Sequence, residues 1–291
     1  MESFRSAVRP AQPTVATSAL FSALVDDAGL FPPEQLDMAA AAARHRRDQA
    51  AASPVLSHRF VVPAARLSEL QGTLTGRDRF AVSVIGPAES EPVEELLAVV
   101  AADGRLTLAG LESVLPQDWA ARTDDLSAAI RLLPSTVPVF LEVPIRDDND
   151  QVLDLLAGEG WSAKLRCGGV RSELFPTTEH LAITIRGCVG RAIPFKATAG
   201  LHHAVRYQDP TTGFTHHGFL NILLAVARAV DGAGQSTVVD VLQTSDPQAL
   251  RHEVDSLPPT VRLRTREVFQ SYGSCSTDDP LDDLTTLSLL T

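Results

Sequence analysis

The sequence is poor in several features that mark common classes of protein. It has only three cysteines, Cys167, Cys188 and Cys275, an odd number that provides no disulfide framework and suits a reducing, cytoplasmic compartment. No apolar run approaches the roughly 20 residues that span a bilayer, and residues 1–18 contain no apolar core of the kind found in secretory signals. We therefore expect no membrane partner.

Basic residues are also scarce relative to acidic ones. The chain has 25 Lys and Arg against 36 Asp and Glu, for a formal charge of −11, and no basic stretch is suited to following a phosphate backbone. This balance argues against nucleic acid as a partner. A small-molecule substrate remains compatible with it, because a local pocket can be positive on an acidic protein.

The chain does contain a repeating pattern in which a short apolar run is followed by a helix-like stretch. The eight runs lie at residues 21–27, 59–63, 80–85, 106–114, 137–143, 163–167, 193–197 and 237–242. Eight such units in about 250 residues predict a single (β/α)8 TIM barrel. The main alternative, a doubly wound sheet, lacks its usual glycine-rich dinucleotide fingerprint here.

The same pattern predicts how the chain is divided. Residues 1–18 form a loose lead-in, residues 19–260 form the barrel, and residues 261–291 form a C-terminal extension that packs on it. The extension is expected to contain no strand and to end in a short helix. We also expect a homodimer, because soluble enzymes often self-associate.

The only two lysines in the chain lie near the ends of the sixth and seventh predicted strands. Active sites of such barrels are built at the carboxyl ends of the strands. Strand alternation puts Lys164, Lys196 and Glu142 on faces that meet at this mouth if they point inward. Glu112 on strand four, and either Asp26 or Asp27 on strand one, would complete the rim.

This grouping predicts amine catalysis. A lysine attacks a carbonyl group only as the neutral amine, and a neighbouring cation lowers its pKa. We expect Lys196 to be the nucleophile, Lys164 its pKa-tuning neighbour and Glu142 the proton shuttle. The alternative is a purely structural Lys–Glu network that closes the top of the barrel.

Two short phrases also resemble a known family. Residues 196–200, Lys-Ala-Thr-Ala-Gly, resemble the Lys-Thr-Ser-Thr-Gly phrase around the Schiff-base lysine of deoxyribose-phosphate aldolases. Residues 163–171, Ala-Lys-Leu-Arg-Cys-Gly-Gly-Val-Arg, resemble that family's second lysine phrase, Lys-Ala-Ser-Gly-Gly-hydrophobic-Arg. The two phrases occur in the opposite order here, which leaves open which lysine is the nucleophile. The resemblance implies a class I aldolase on a TIM barrel.

Four histidines fall in the predicted loop after strand seven: His202, His203, His216 and His217. We expect His202 or His203 to take part in proton transfer. The alternative is a divalent metal site that combines these histidines with Asp26, Asp27 or Glu142, although neither H-E-x-x-H nor C-x-x-C occurs. It is equally open that these histidines pack, cap or face solvent.

Substrate contacts are expected from glycines and polar groups at the same mouth. Backbone N–H groups at Gly168, Gly169 and Gly200 would bind an anionic group. Turn formation is the competing explanation for these glycines. The remaining expected substrate contacts are Arg166, Thr198 and Asp27.

Together these features predict an aldolase-like lyase that forms a lysine imine with a small carbonyl substrate, with or without a phosphate, and needs no cofactor. A metal-dependent hydrolase or isomerase that uses the histidine-rich loop is the first alternative. A non-catalytic ligand-binding barrel is the second.

Overall fold

The computed structural model describes residues 19–290, so the predicted lead-in at 1–18 lies outside the described residues. Eight parallel strands close into a barrel in the order β1–β10–β7–β6–β5–β4–β3–β2. The predicted (β/α)8 barrel is therefore confirmed. The barrel strands are β1 (Val25–Asp27), β2 (Leu56–Pro63), β3 (Phe80–Ile85), β4 (Leu106–Val114), β5 (Val139–Glu142), β6 (Ser162–Arg166), β7 (Phe195–Thr198) and β10 (Phe269–Ser274).

Helices follow the strands and form an outer layer around the barrel. They are α1 (Met38–Ala51), α2 (Leu67–Thr73), α3 (Ser90–Ala101), α4 (Thr123–Ile130), α5 (Asp150–Glu159), α6 (Thr178–Gly190), α7 (Phe219–Val230), α8 (Gln235–Gln243), α9 (Pro247–Ser256), α10 (Pro259–Val268) and α11 (Asp278–Thr286). Within residues 19–290, none of the helices is both long enough and apolar enough to cross a bilayer.

The eighth barrel strand is not where the sequence pattern predicted it. Residues 237–242 belong to helix α8, whose buried residues Val238, Val241 and Leu242 recur at the three- and four-residue spacing of an amphipathic helix. The closing strand is β10, between β7 and β1. It falls in the segment predicted to be a strand-free extension, and the predicted boundary at residue 260 lies inside α10.

The connection from β7 to β10 is the longest in the barrel. It contains a small antiparallel hairpin, β8 (Tyr207–Gln208) with β9 (Thr215–His216), followed by helices α7 to α10. Helix α7 is the central helix of this group, because it contacts β10 as well as α6, α8, α9 and α10. It is buried on nearly every side, which explains its almost continuous apolar sequence.

Strand register determines which side chains meet at the barrel mouth. Glu142 on β5 is level with Lys164 on β6, which is level with Lys196 on β7, which is level with Ser271 on β10. Adjacent parallel strands lie about 4.8 Å apart. The register therefore brings the two lysines side by side.

Candidate active site

A cavity of about 490 Å³ opens at the carboxyl ends of the barrel strands. Lys164 and Lys196 both line it, together with Glu112 from β4. Both lysine side chains are almost completely buried, with 4% and 2% exposure. The two lysines thus meet in one cavity at the barrel mouth, as their positions on neighbouring strands predicted.

The Glu112 carboxylate bridges the two lysines. Its Oε2 lies 3.0 Å from Lys164 Nζ, and its Oε1 lies 2.5 Å from Lys196 Nζ. The Ser83 hydroxyl donates a further hydrogen bond of 2.8 Å to Oε1. Burial works against the charged carboxylate, but Lys196 and Lys164 outweigh it and lower the pKa of Glu112 below its usual range. Glu112 is therefore the shared counter-ion of both lysines.

Asp26 is the second buried carboxylate of the site. Its Oδ2 accepts a 2.7 Å hydrogen bond from Lys196 Nζ and a 2.8 Å bond from Ser271, while its Oδ1 accepts a 2.9 Å bond from Arg59 Nε. Against the cost of burial, Lys196 and Arg59 hold the pKa of Asp26 well below its usual value. Asp26 thus keeps its negative charge inside the barrel.

These contacts determine the charge state of Lys196. Burial alone would lower the pKa of this lysine, but Asp26 and Glu112 together raise the pKa above its ordinary value. The low pKa expected of Lys196 as nucleophile is therefore wrong. Its nearest charges are two carboxylates, on β1 and β4, rather than the neighbouring cation expected from the sequence.

Lys164 lies farther from its carboxylate partners than Lys196 does. Apart from its 3.0 Å contact with Glu112, it lies 3.5 Å from Glu142 Oε2. Glu142 itself accepts a 2.7 Å hydrogen bond from Arg166 Nε. The expected proton shuttle is thus next to Lys164 rather than Lys196, and Arg166 lines the cavity while paired with Glu142.

Asp27 does not take part in the site, contrary to the prediction. Its Oδ2 lies 3.0 Å from His45 Nδ1, its Oδ1 accepts a hydrogen bond from Arg44, and both partners belong to helix α1. Successive side chains of a strand point to opposite faces, so only one of the two adjacent aspartates on β1 can face the barrel interior. Asp26 faces inward, whereas Asp27 faces outward and contacts helix α1.

The glycines of the two loops are required mainly by close packing. A Cβ atom on Gly168 would come within 2.8 Å of the Gly200 Cα and of the Phe175 ring, and Gly200 has a φ of +73°. Gly169, Gly200 and Thr198 line the cavity, whereas Gly168 does not. Close packing therefore accounts for Gly168, whereas the positive φ fits the turn-forming explanation for Gly200.

Two of the four histidines line the cavity, and the other two lie in the protein around it. His202 and His216 line the cavity, while His203 lies outside it beside Asp283, 3.3 Å away, so its expected catalytic role is not supported. His217 is buried, and its Nε2–H donates a 2.8 Å hydrogen bond to the Pro176 carbonyl. Burial lowers the pKa of His217 to about 4.

His202 is the histidine best placed for proton transfer. Burial, aided by His216 and His203, lowers the pKa of His202, so the ring is neutral at pH 7. Its Nδ1 lies 3.3 Å from the Cys275 sulfur, and both residues line the cavity. Burial raises the pKa of Cys275, so this pair is a neutral imidazole beside a neutral thiol.

A metal site was the alternative use of these histidines. Across residues 19–290, no group of three or more His, Cys, Asp or Glu side chains is arranged to hold a metal ion. The histidines instead contact backbone carbonyls, Asp283 and Cys275.

Several polar residues of the site were not singled out from the sequence. Ser57 and Arg59 on β2, Ser83 on β3 and Ser271 on β10 all contact Asp26 or Glu112. The strand period offers one signal for them. Each lies two or four residues before a cavity-lining residue of the same strand, so the two side chains are on the same face of the strand. A polar residue on the inward face of a short, mostly apolar strand therefore indicates a charged interior.

A scan against protein-family models, a search of curated proteins and a search of solved structures each return no match to this chain. Because one barrel architecture supports many unrelated reactions, the function has to be inferred from the site itself.

Proposed function

We propose that this protein is an imine-forming enzyme of the lyase class, in which Lys164 reacts with the carbonyl group of a small substrate. The observation that carries the proposal is the pair of buried lysines that share one carboxylate, Glu112, inside a single cavity. Buried lysines are costly, and charged groups placed in a cleft with matched partners are typical of functional sites.

The contacts favour Lys164 over Lys196 as the nucleophile. Lys196 is held between two carboxylates at 2.7 and 2.5 Å, and its pKa is raised. It stays an ammonium ion and keeps Glu112 neutralised when Lys164 loses its proton. The roles expected from the sequence are therefore exchanged in this proposal.

The proposed reaction conserves charge within the site. The Lys164 ammonium ion passes its proton to Glu142, and the free amine attacks the carbonyl carbon. The carbinolamine oxygen takes up one proton from the attacking nitrogen and the other back from Glu142, and it leaves as water. Ammonium plus carbonyl therefore becomes iminium plus water, and Glu142 is again a carboxylate. Because the iminium ion is also a cation, it keeps its attraction to Glu112.

Carbon–carbon cleavage follows from the iminium ion. The bond between the substrate carbons α and β to the iminium carbon breaks. The hydroxyl group on the β-carbon loses its proton and becomes the carbonyl group of the released fragment, and the electron pair moves through the α-carbon to the nitrogen to give an enamine. His202 is proposed as the base, since it lines the cavity and a lowered pKa keeps it neutral. The resemblance of the two lysine phrases to deoxyribose-phosphate aldolases supports this assignment of reaction class.

The scarcity of lysine makes the proposal easy to test. The chain offers only three amines, Lys164, Lys196 and the terminal amino group. Borohydride reduction with a panel of aldehydes and ketones should leave a stable mass adduct on Lys164. We expect Lys164→Arg to lose the adduct, because a guanidinium group retains the charge but forms no imine.

Lys196→Arg is the matched control, since it preserves a cation beside Asp26 and Glu112. It should retain the adduct on Lys164. If no carbonyl compound labels either lysine in the folded wild-type protein, the proposed function is wrong.

A further inference from the structure

The cavity is polar at its base and apolar along its walls. The buried base consists of Lys164, Lys196 and Glu112, which are at most 3% exposed as whole residues. Above it, apolar side chains come from the ends of strands and from the loops after β1, β6 and β7. These wall residues are Phe31, Pro32, Pro33, Val61, Ile85, Val170, Leu174 and Phe214.

The wall formed by the β7–α7 connection is aromatic. The Phe214 and Phe175 rings lie 5.4 Å apart, and Phe175 meets the edge of His216 at 4.7 Å. His216 in turn stacks on Tyr207 at 4.9 Å. Of these rings, Phe214 and His216 line the cavity, while Phe175, from the loop after β6, and Tyr207 pack against them and orient them.

The cations of the cavity are already paired with carboxylates. Among the described residues that line it, the basic side chains other than histidine are Lys164, Lys196 and Arg166. Each has a carboxylate partner within 3.0 Å: Glu112 for both lysines and Glu142 for Arg166. Asp209 adds a further carboxylate to the lining.

A phosphorylated substrate would fit this charge distribution poorly. A phosphate dianion next to Lys164 or Arg166 would have to displace Glu112 or Glu142 and would be repelled by them. An apolar tail, by contrast, would be removed from water against the walls. This would make the binding free energy more favourable by about 25 cal/mol per Å² of buried apolar surface.

We propose that the substrate is an aldehyde or ketone with an apolar or aromatic tail and no phosphate, its carbonyl group directed to the lysines and its tail lying on Leu174 and Phe214. This inference rests on the proposed imine chemistry. A cavity of about 490 Å³ is large enough for such a molecule, because ligand pockets typically enclose about 300–1,000 Å³.

The test compares two aldehydes at equal concentration in the borohydride assay: 3-phenylpropanal and glyceraldehyde 3-phosphate. The inference predicts that 3-phenylpropanal labels Lys164 at least about ten-fold faster, the discrimination typical of a few apolar carbon atoms. Leu174→Ser and Phe214→Ser should each reduce its labelling by about ten-fold. Leu263→Ser, which alters an exposed leucine on α10, is the control and should have no effect.

A second measurement does not depend on imine formation. The alcohol 3-phenylpropanol should raise the melting temperature of wild type and of Lys164→Arg, and to a smaller extent that of Phe214→Ser.

Faster labelling by the phosphorylated aldehyde would overturn the substrate inference while supporting imine chemistry. Labelling by neither aldehyde, with the alcohol still bound, would overturn the proposed function and leave an apolar ligand site. Absence of binding by the alcohol would overturn the inference as well.

Discussion

At the scale of single residues, the contact with the largest consequence is the one between Lys196 and its two carboxylates. Lys196, Asp26 and Glu112 are each at most 1% exposed. A buried ion pair stabilises a fold little more than a buried apolar pair does. Removal of one partner, however, leaves an uncompensated buried charge. Loss of any one of these contacts therefore costs free energy, and this cost keeps the three side chains in place.

We predict that Lys196→Met lowers the free energy of unfolding by about 3–5 kcal/mol, because it leaves Asp26 and Glu112 without their shared cation. Urea unfolding monitored by circular dichroism measures this change. Arg66→Met removes a cation from the exposed ion pair with Glu69 and should not move the urea midpoint measurably. Equal effects of the two substitutions would contradict a buried charge network.

His217 gives a prediction about pH. Its pKa falls from 6.5 to about 4 on folding because the ring is buried as the neutral form. A group with a depressed folded pKa contributes stability above its unfolded pKa, and this contribution is lost as the pH falls toward the folded pKa. Between pH 6.5 and pH 4, protonation of the unfolded chain should therefore remove up to about 3 kcal/mol of stability.

The measurement is the urea midpoint as a function of pH for wild type and His217→Gln. The variant should lose less stability between pH 6.5 and pH 4 than wild type does. His252→Gln, at an exposed position of α9, should follow the wild-type curve. A variant curve parallel to wild type would show that His217 is not the titrating group.

At the scale of elements, the two loops after β6 and β7 are held together by a contact between glycine backbones. Gly168→Ala would place a methyl group 2.8 Å from the Gly200 Cα, and a backbone atom cannot move aside as a side-chain tip can. We expect a loss of about 1–3 kcal/mol in the free energy of unfolding, the usual cost of overpacking.

Gly190→Ala is the matched control for that substitution, measured by thermal and urea unfolding. Gly190 lies in the last turn of α6, and an added Cβ would meet no atom within 4 Å. Alanine there should stabilise the chain by about 0.5–1 kcal/mol. If Gly168→Ala is as stable as wild type, the two loops do not pack as described.

The elements also show which part of the fold can be predicted from sequence. Strands β3 and β4 coincide with their predicted bounds because most of their residues are apolar. The closing strand β10 was missed because only Phe269 and Tyr272 among its six residues, Phe-Gln-Ser-Tyr-Gly-Ser, are large and apolar or aromatic, so no apolar run marks it. Helix α8 was mistaken for it, since a segment of four apolar residues among six suits either element.

At the scale of the whole molecule, the barrel brings side chains from distant parts of the chain into one charged interior. Strand count and period are sufficient to predict that Lys164, Lys196 and Glu142 meet. They place Glu112 and either Asp26 or Asp27 on the same rim, but they are not sufficient to predict that Glu112 and Asp26, each two strands away from the nearer lysine, contact the lysines. Those contacts depend on strand stagger and on the choice between Asp26 and Asp27, which a shift of one residue reverses.

The central claim is that one of two buried lysines forms an imine, and locating the adduct tests it most directly. Wild-type protein is reduced with borohydride in the presence of 3-phenylpropanal and a panel of other aldehydes and ketones, then digested, and the modified peptides are sequenced by mass spectrometry. We expect a modification on Lys164, with Lys196 unmodified. Modification of the terminal amino group alone, with both lysines intact for every carbonyl compound, would contradict it.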